Sequence, residues 1–156
     1  MADLTIRLAT LADVPTITHN RRGMFEDMTT VDPVLLDEME PAFARWVTEK
    51  IANGHYVGWL ACEAGGAVVA GVGLWLKEWS PIPGDLSTCR GRVMDVYTAP
   101  AFRRRGLARR LMLALLDWCR ERAIRTLDLD ASTQGRGLYE SLGFTTTNEM
   151  RLILGS

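Results

Sequence analysis

The sequence predicts a mixed α/β domain, on three observations. A strand-like run at 93–98, a long Leu- and Ala-rich helical run at 105–122 and a second strand at 126–131 make one βαβ unit. Such a unit implies a parallel pair joined by a right-handed crossover. Ahead of it, strands at 56–63 and 68–78 flank Gly65-Gly66, a hairpin signal that adds an antiparallel pair to the same sheet. The chain has 156 residues, of which 47% are hydrophobic and 24% charged, so it can bury one core and not two. A single domain over 1–156 is expected.

The elements follow in order. Leu4 to Leu8 alternates and reads as a first strand. Thr10 and Asp13 offer N-caps, Pro15 falls in a first helical turn, and the helix runs to about Met28. Asp32-Pro33 opens a second helix, with Leu35, Leu36, Met39, Phe43, Trp46, Val47 and Ile51 at helical spacing, and Asn53-Gly54 stops it. Beyond the hairpin, 80–91 reads as a loop long enough to suggest a substrate-side role. The strand at 93–98 stops at Pro100. A short helix over 134–141 ends at Gly143, and 144–154 reads as a last strand or hairpin.

Charge sharpens the picture. The net charge of −1 comprises 18 basic and 19 acidic residues, and every base except Lys50 and Lys77 is arginine. The acids crowd into 26–49 and the arginines into 103–125, so two opposed local fields hide in a neutral total. Three cysteines without a pairing pattern, and the isolated His19 and His55, predict no disulfide framework and no metal site. The N-terminus lacks a secretory pattern and no apolar run approaches membrane-spanning length. A soluble cytoplasmic protein without a membrane partner is expected.

The chemistry concentrates in Val96-Tyr97-Thr98-Ala99-Pro100-Ala101-Phe102-Arg103-Arg104-Arg105-Gly106-Leu107-Ala108-Arg109-Arg110-Leu111. A strand ends, a short turn carries Gly106, and a helix begins. A helix N-terminus leaves amides unpaired and carries positive dipole, and glycine lets an anion approach closely. Arginines surround it, so the stretch reads as a pyrophosphate cradle. Leu107, Leu111, Met112, Ala114, Leu115 and Trp118 commit this helix to a core, and no helix-turn-helix pair accompanies it, which argues against nucleic acid. The P-loop and dinucleotide fingerprints are absent.

Arg103-Arg104-Arg105-Gly106-Leu107-Ala108 resembles the Arg/Gln-x-x-Gly-x-Gly/Ala signature of the GNAT acyltransferase superfamily. Ile6 to Asp13 resembles that family's opening, and 132–144, with Leu138-Tyr139 and Gly143-Phe144, its closing motif. Ser132 stands where the family often has Asn, and Gly135 where it often has Ala. The resemblance implies a mixed sheet of six to seven strands flanked by about four helices. It implies an N-acetyltransferase using acetyl-CoA, with no metal, on a small-molecule primary amine. Protein or peptide acetylation is the alternative, and a non-catalytic acyl-CoA sensor is the reading from another class. A homodimer is compatible with it.

The same resemblance implies roles. Arg103, Arg104, Arg105, Gly106, Leu107, Ala108 and Arg109 would hold the pyrophosphate. Val96, Tyr97 and Thr98 would pair with the pantetheine amides as an added strand, with Ser132 beside them. A backbone N–H in this strand would polarise the thioester carbonyl. Tyr139 would protonate the departing thiolate. For the base, Asp95 lies mid-strand on the face of Val93 and Tyr97, and Asp128 and Asp130 alternate with apolar neighbours on one shared face. Asp95 and Asp130 rank above Glu78, which ends the hairpin. Arg21, Arg22, Met24, Phe25, Asp27 and Met28 resemble the family's variable substrate wall. Arg21, Phe25 and Glu78 are the acceptor contacts expected, opposite Trp75, Trp79 and the 80–91 loop.

Overall fold

A computed structural model describes residues 3–155. The elements are β1 (Thr5–Leu8), α1 (Val14–Met28), α2 (Pro33–Ala52), β2 (Tyr56–Cys62), β3 (Val68–Glu78), β4 (Cys89–Thr98), α3 (Leu107–Glu121), β5 (Leu127–Asp128) and α4 (Arg136–Ser141). Short 3₁₀ turns over Leu11–Asp13 and Pro100–Phe102 lead toward α1 and α3. The strands form one sheet in the order β1-β2-β3-β4-β5. Neighbours from β1 to β4 are antiparallel, and β4 and β5 are parallel.

Helices cover both faces of this sheet. On one face α3 lays down Leu107, Leu111, Met112, Leu115 and Cys119, spaced as one helical stripe, against Trp59, Val72, Leu74 and Val93. Leu74, Leu115 and Met112 have no exposed surface. On the other face Ile17 of α1 and Phe43 and Val47 of α2 pack on Tyr56. Both layers are buried because the strands between them are apolar on both sides. Cys62 and Cys119 are buried and Cys89 half-buried, all three as free thiols. Burial pushes the Cys119 thiol up to about 11.

The sheet departs from expectation at its far edge. It has five strands rather than six to seven. β5 pairs with β4 only at Gly91–Leu127 and Arg92–Asp128 before the two diverge. The strand expected over 126–131 is therefore two residues long, and 129–131 borders the opening. The last strand expected over 144–154 is not formed: those residues make no ladder, and Met150, Leu152, Ile153 and Leu154 are 79–94% exposed. Among these described residues, Phe144 alone makes a backbone bond, donating to the Tyr139 carbonyl at 3.0 Å.

Candidate active site

The site grows out of the divergence of β4 and β5. Past Arg92, β4 has a partner on its β3 side only. An open cleft of about 360 Å³ fills the gap, lined by β4 from Val93 to Thr98, Leu129, Asp130, Ser132, Tyr139 and the start of α3. Met24, Asp27 and Met28 of α1 close its other wall.

A bulge shapes the β4 side. Gly71 pairs with Tyr97 and Gly73 with Met94, so β4 carries one residue more than β3 across this interval. Asp95 takes up the excess in a left-handed conformation, at φ 58°. The expected alternation of Val93, Asp95 and Tyr97 on one face is broken there. The Asp95 carboxylate turns into the protein, 3% exposed. One oxygen accepts from Arg21 Nη1 at 2.8 Å, the other from the Tyr56 hydroxyl at 2.8 Å. Burial raises the Asp95 carboxyl above the usual carboxylate range, against the pull of Arg21. Tyr56, buried beside the same carboxylate, is held well above its usual value.

The motif places Gly106 in the turn that opens α3. Gly106, the N-cap of α3, is left-handed at φ 73°, and an added Cβ would meet nothing, so backbone conformation rather than crowding selects glycine. The first helical bond runs from Arg110 N to the Gly106 carbonyl at 3.1 Å. Among the described residues, the successive amides from Arg104 to Arg109 donate to no carbonyl or side chain. They face a cleft lined by Gly106, Leu107 and Ala108, which suits a diphosphate.

The arginines around it divide their work. Arg103 donates to the Thr98 carbonyl at 2.9 Å and pairs with Asp27, tying the end of β4 to α1. Arg109 donates to the Ser141 hydroxyl at 3.0 Å, and Arg110 to the Leu4 carbonyl at 3.2 Å. Arg105 lies over the Phe102 ring. Arg104 makes no ion pair or side-chain hydrogen bond with another described residue. Only part of this positive charge faces solvent unpaired.

On the opposite wall Tyr139 is 8% exposed and edge-on to Phe144. Its hydroxyl hydrogen-bonds no described residue, and burial pushes it above the ordinary phenol value. The Ser132 hydroxyl accepts from Gly135 N at 3.0 Å, closing the turn into α4. A Cβ on Gly135 would come within 2.9 Å of the Tyr139 ring, so glycine here leaves the ring its room.

The remaining expected residues are dispersed. Asp130 borders the cleft, 61% exposed at its side chain, and shares Arg92 with Asp128 at 2.6 Å each. The two aspartates do share a face, as carboxylates paired with arginine. Glu78 is exposed at the end of β3, opposite Cys89, and lines no part of the cleft. It is too far along the sheet for the base or acceptor role expected of it. Phe25 stacks under the Arg21 guanidinium, and Arg21 is engaged by Asp95, so neither forms the acceptor wall. No residue of the 80–91 loop lines the cleft either, because β4 starts at Cys89 and the loop lies at the other end of that strand. Trp75 packs edge-on to Trp46, and Trp79 lies beneath Lys77 and Arg90. Tyr56, by contrast, gave no sign in the sequence. Its role depends on a register between distant strands.

The acidic run has partners of its own. Arg22 gathers Glu26, Asp37 and Glu40 at 2.8, 2.6 and 3.6 Å. No cluster of metal-ligating side chains and no helix long and apolar enough to cross a membrane occur among the described residues.

The comparisons with known proteins agree with this fold. A GCN5-related N-acetyltransferase from Ralstonia eutropha JMP134 is 32% identical, with a TM-score of 0.91 over 97% of this chain and 99% of that one. A Clostridium acetobutylicum protein described as an acetyltransferase, solved with acetyl-CoA, shares the fold at TM-score 0.85, with 24% identity over 97% of this chain and 96% of that one. Among curated proteins, an aminoglycoside N(6')-acetyltransferase type 1 of Stenotrophomonas maltophilia is 28% identical over 94% of this chain and 89% of its own length. Residues 21–144 match the description of the acetyltransferase (GNAT) family, and the chain is a member of that family of acyltransferases.

Proposed function

We propose that this protein transfers an acetyl group from acetyl-CoA to a primary amine of a small polycationic molecule, aminoglycosides being the class to test first. One observation carries the reading. The unbonded amides of Arg104 to Arg109 open onto the same cleft as the free hydroxyl of Tyr139. The curated relative supports the acceptor class. Asp130 adds a carboxylate at the cleft that stays 61% exposed while paired with Arg92, so part of it is open to a cation.

Acetyl-CoA supplies the activated acyl group. Its diphosphate fits the α3 amides, and its pantetheine arm fits the free side of β4 from Val96 to Thr98. In a ternary complex the amine nitrogen attacks the thioester carbon. A C–N bond forms, the C–S bond breaks, and the electron pair leaves on sulfur. Tyr139, buried at the cleft wall, donates its proton to the thiolate, and the second proton that the attacking nitrogen sheds on becoming an amide returns to the Tyr139 oxygen. The acceptor arrives as an ammonium and loses a proton first. Asp130, the cleft carboxylate open to solvent, holds the ammonium and receives this proton through water.

The test is release of free thiol from acetyl-CoA with aminoglycosides, diamines, amino acids and a lysine peptide as acceptors. Turnover is expected on the small polyamines. Tyr139→Phe should lower kcat about 10²-fold with an unchanged melting temperature. Turnover confined to the peptide would overturn the acceptor class. Stabilisation by acetyl-CoA with no turnover on any amine would favour a sensor.

A further inference from the structure

We infer that Arg21 and Tyr56 are positioning residues: by gripping Asp95 from two sides, they fix the β4 bulge so that the backbone at Val96 and Tyr97 meets the thioester carbonyl in one orientation. The inference rests on acetyl-CoA lying along β4 as proposed above, and it deepens that reading.

The first support is conformational. Asp95 is one of three non-glycine residues with positive φ among the described residues, and it alone of the three is in a strand. A non-glycine residue in that region persists only where its surroundings over-determine it. Here the surroundings are specific. The carboxylate is filled from α1 by Arg21 and from β2 by Tyr56, and β3 presents Gly71, Val72 and Gly73. These two residues are the charged and titratable groups facing Asp95.

The second support is that both partners are themselves fixed. The Arg21 guanidinium lies between the rings of Phe25 at 5.1 Å and Phe43 at 4.5 Å. Its Nε is buried with no hydrogen-bond partner, so the group is oriented by stacking and by its one contact to Asp95. The Tyr56 hydroxyl fills the hollow over Gly73, where any Cβ would run into it. The bulge is thus held directly from α1 and β2, and those two side chains rest in turn on Phe43 of α2 and Gly73 of β3. Val96 and Tyr97, the next residues, line the cleft. The same grip joins α1, whose Met24, Asp27 and Met28 form the acceptor wall, to the strand that would hold the thioester. Asp95 itself, with both oxygens turned inward, acts through the backbone rather than on the amine.

The test is the carbonyl stretch of ¹³C-acetyl-CoA bound to the full chain, read by isotope-edited infrared difference spectroscopy, with affinity measured by calorimetry. Tyr56→Phe keeps the ring over Gly73 and removes the donor. Asp95→Asn keeps the shape and removes the charge. In the unaltered protein the bound stretch should fall below its value in water. In Tyr56→Phe at least half of that shift should be lost, while Kd changes less than threefold and the melting profile stays cooperative. With an accepted aminoglycoside, kcat should fall about tenfold at unchanged KM for acetyl-CoA, and Asp95→Asn should behave alike. An unchanged stretch in a folded Tyr56→Phe protein that still binds acetyl-CoA would overturn the inference. A loss of more than 10³-fold in Asp95→Asn with the stretch unchanged would instead make Asp95 the base. Failure of the unaltered protein to bind acetyl-CoA would remove the reading beneath it, a result distinct from either.

Discussion

Asp13 and Asp95 each face an arginine at 2.8 Å, and each is nearly buried, at 8% and 3% exposed. Their carboxyl groups nevertheless move in opposite directions. Asp13, at the entry to α1, is pushed down to about 2. Arg7 reaches it with both terminal nitrogens, and the Thr10 amide adds a bond at 2.7 Å. The Arg7 side chain is 44% exposed, so water still shares that pair. Asp95 receives one guanidinium contact and one hydroxyl, and burial outweighs both. An arginine nearby therefore does not decide the charge of an aspartate. The number of donors on the ionised form and the access of water decide it. The well-solvated pair begins a helix. The poorly solvated one holds a bent strand at the cleft.

The largest way to break this contrast is Arg21→Met. It leaves Asp95 buried without its counter-charge, and about 3–5 kcal/mol of stability should be lost in urea denaturation. Gly73→Ala comes next, because its methyl group displaces the Tyr56 hydroxyl. A loss of about 1–3 kcal/mol is expected. Arg7→Met opens the half-exposed pair and should remove only about 1 kcal/mol. An equal loss in Arg7→Met and Arg21→Met would erase the distinction.

The smallest effect carries a sign. Asp13 has a lowered pKa, so its contribution is present above about 4 and is lost as pH falls toward about 2. Asp95 has a raised pKa, so its contribution is present at low pH and is lost as pH rises through the folded value. The stability difference between the unaltered protein and Asp13→Asn should thus widen from pH 2 to pH 5, while that for Asp95→Asn narrows. Chemical denaturation at three pH values measures both.

Short-range signals carried much of this fold. The Leu and Ala stripe of α3, the Gly65-Gly66 hairpin and the left-handed Gly106 each depend on neighbours within a few residues, and each is found where the pattern puts it. The turn that opens α3 at the cleft was legible for the same reason. Long-range register was not. Alternation along 93–97 assumes a regular strand, and the bulge at Asp95 inserts one residue and turns that carboxylate inward. Nothing local in Gly54-His55-Tyr56 says that Tyr56 will end against Gly73 and Asp95. Glu78 failed as a site residue because strand order and strand length, not residue type, decide which end of β3 faces the cleft. The missing last strand has a related cause. The apolar residues at 150–154 carry the composition of a strand, but a strand also needs an edge to pair with.

A diphosphate seated mainly on backbone amides, as proposed above, would have a consequence for rates. Amides within contact distance of a phosphate are not screened, whereas charges beyond roughly 8 Å are largely screened at physiological ionic strength. Arg103, Arg109 and Arg110 are already bound to the protein, so the field they add acts mostly at a distance. Raising salt should then slow the arrival of a phosphate-bearing ligand and leave its departure almost unchanged. In stopped-flow binding, the ionic-strength dependence would reside in the association rate.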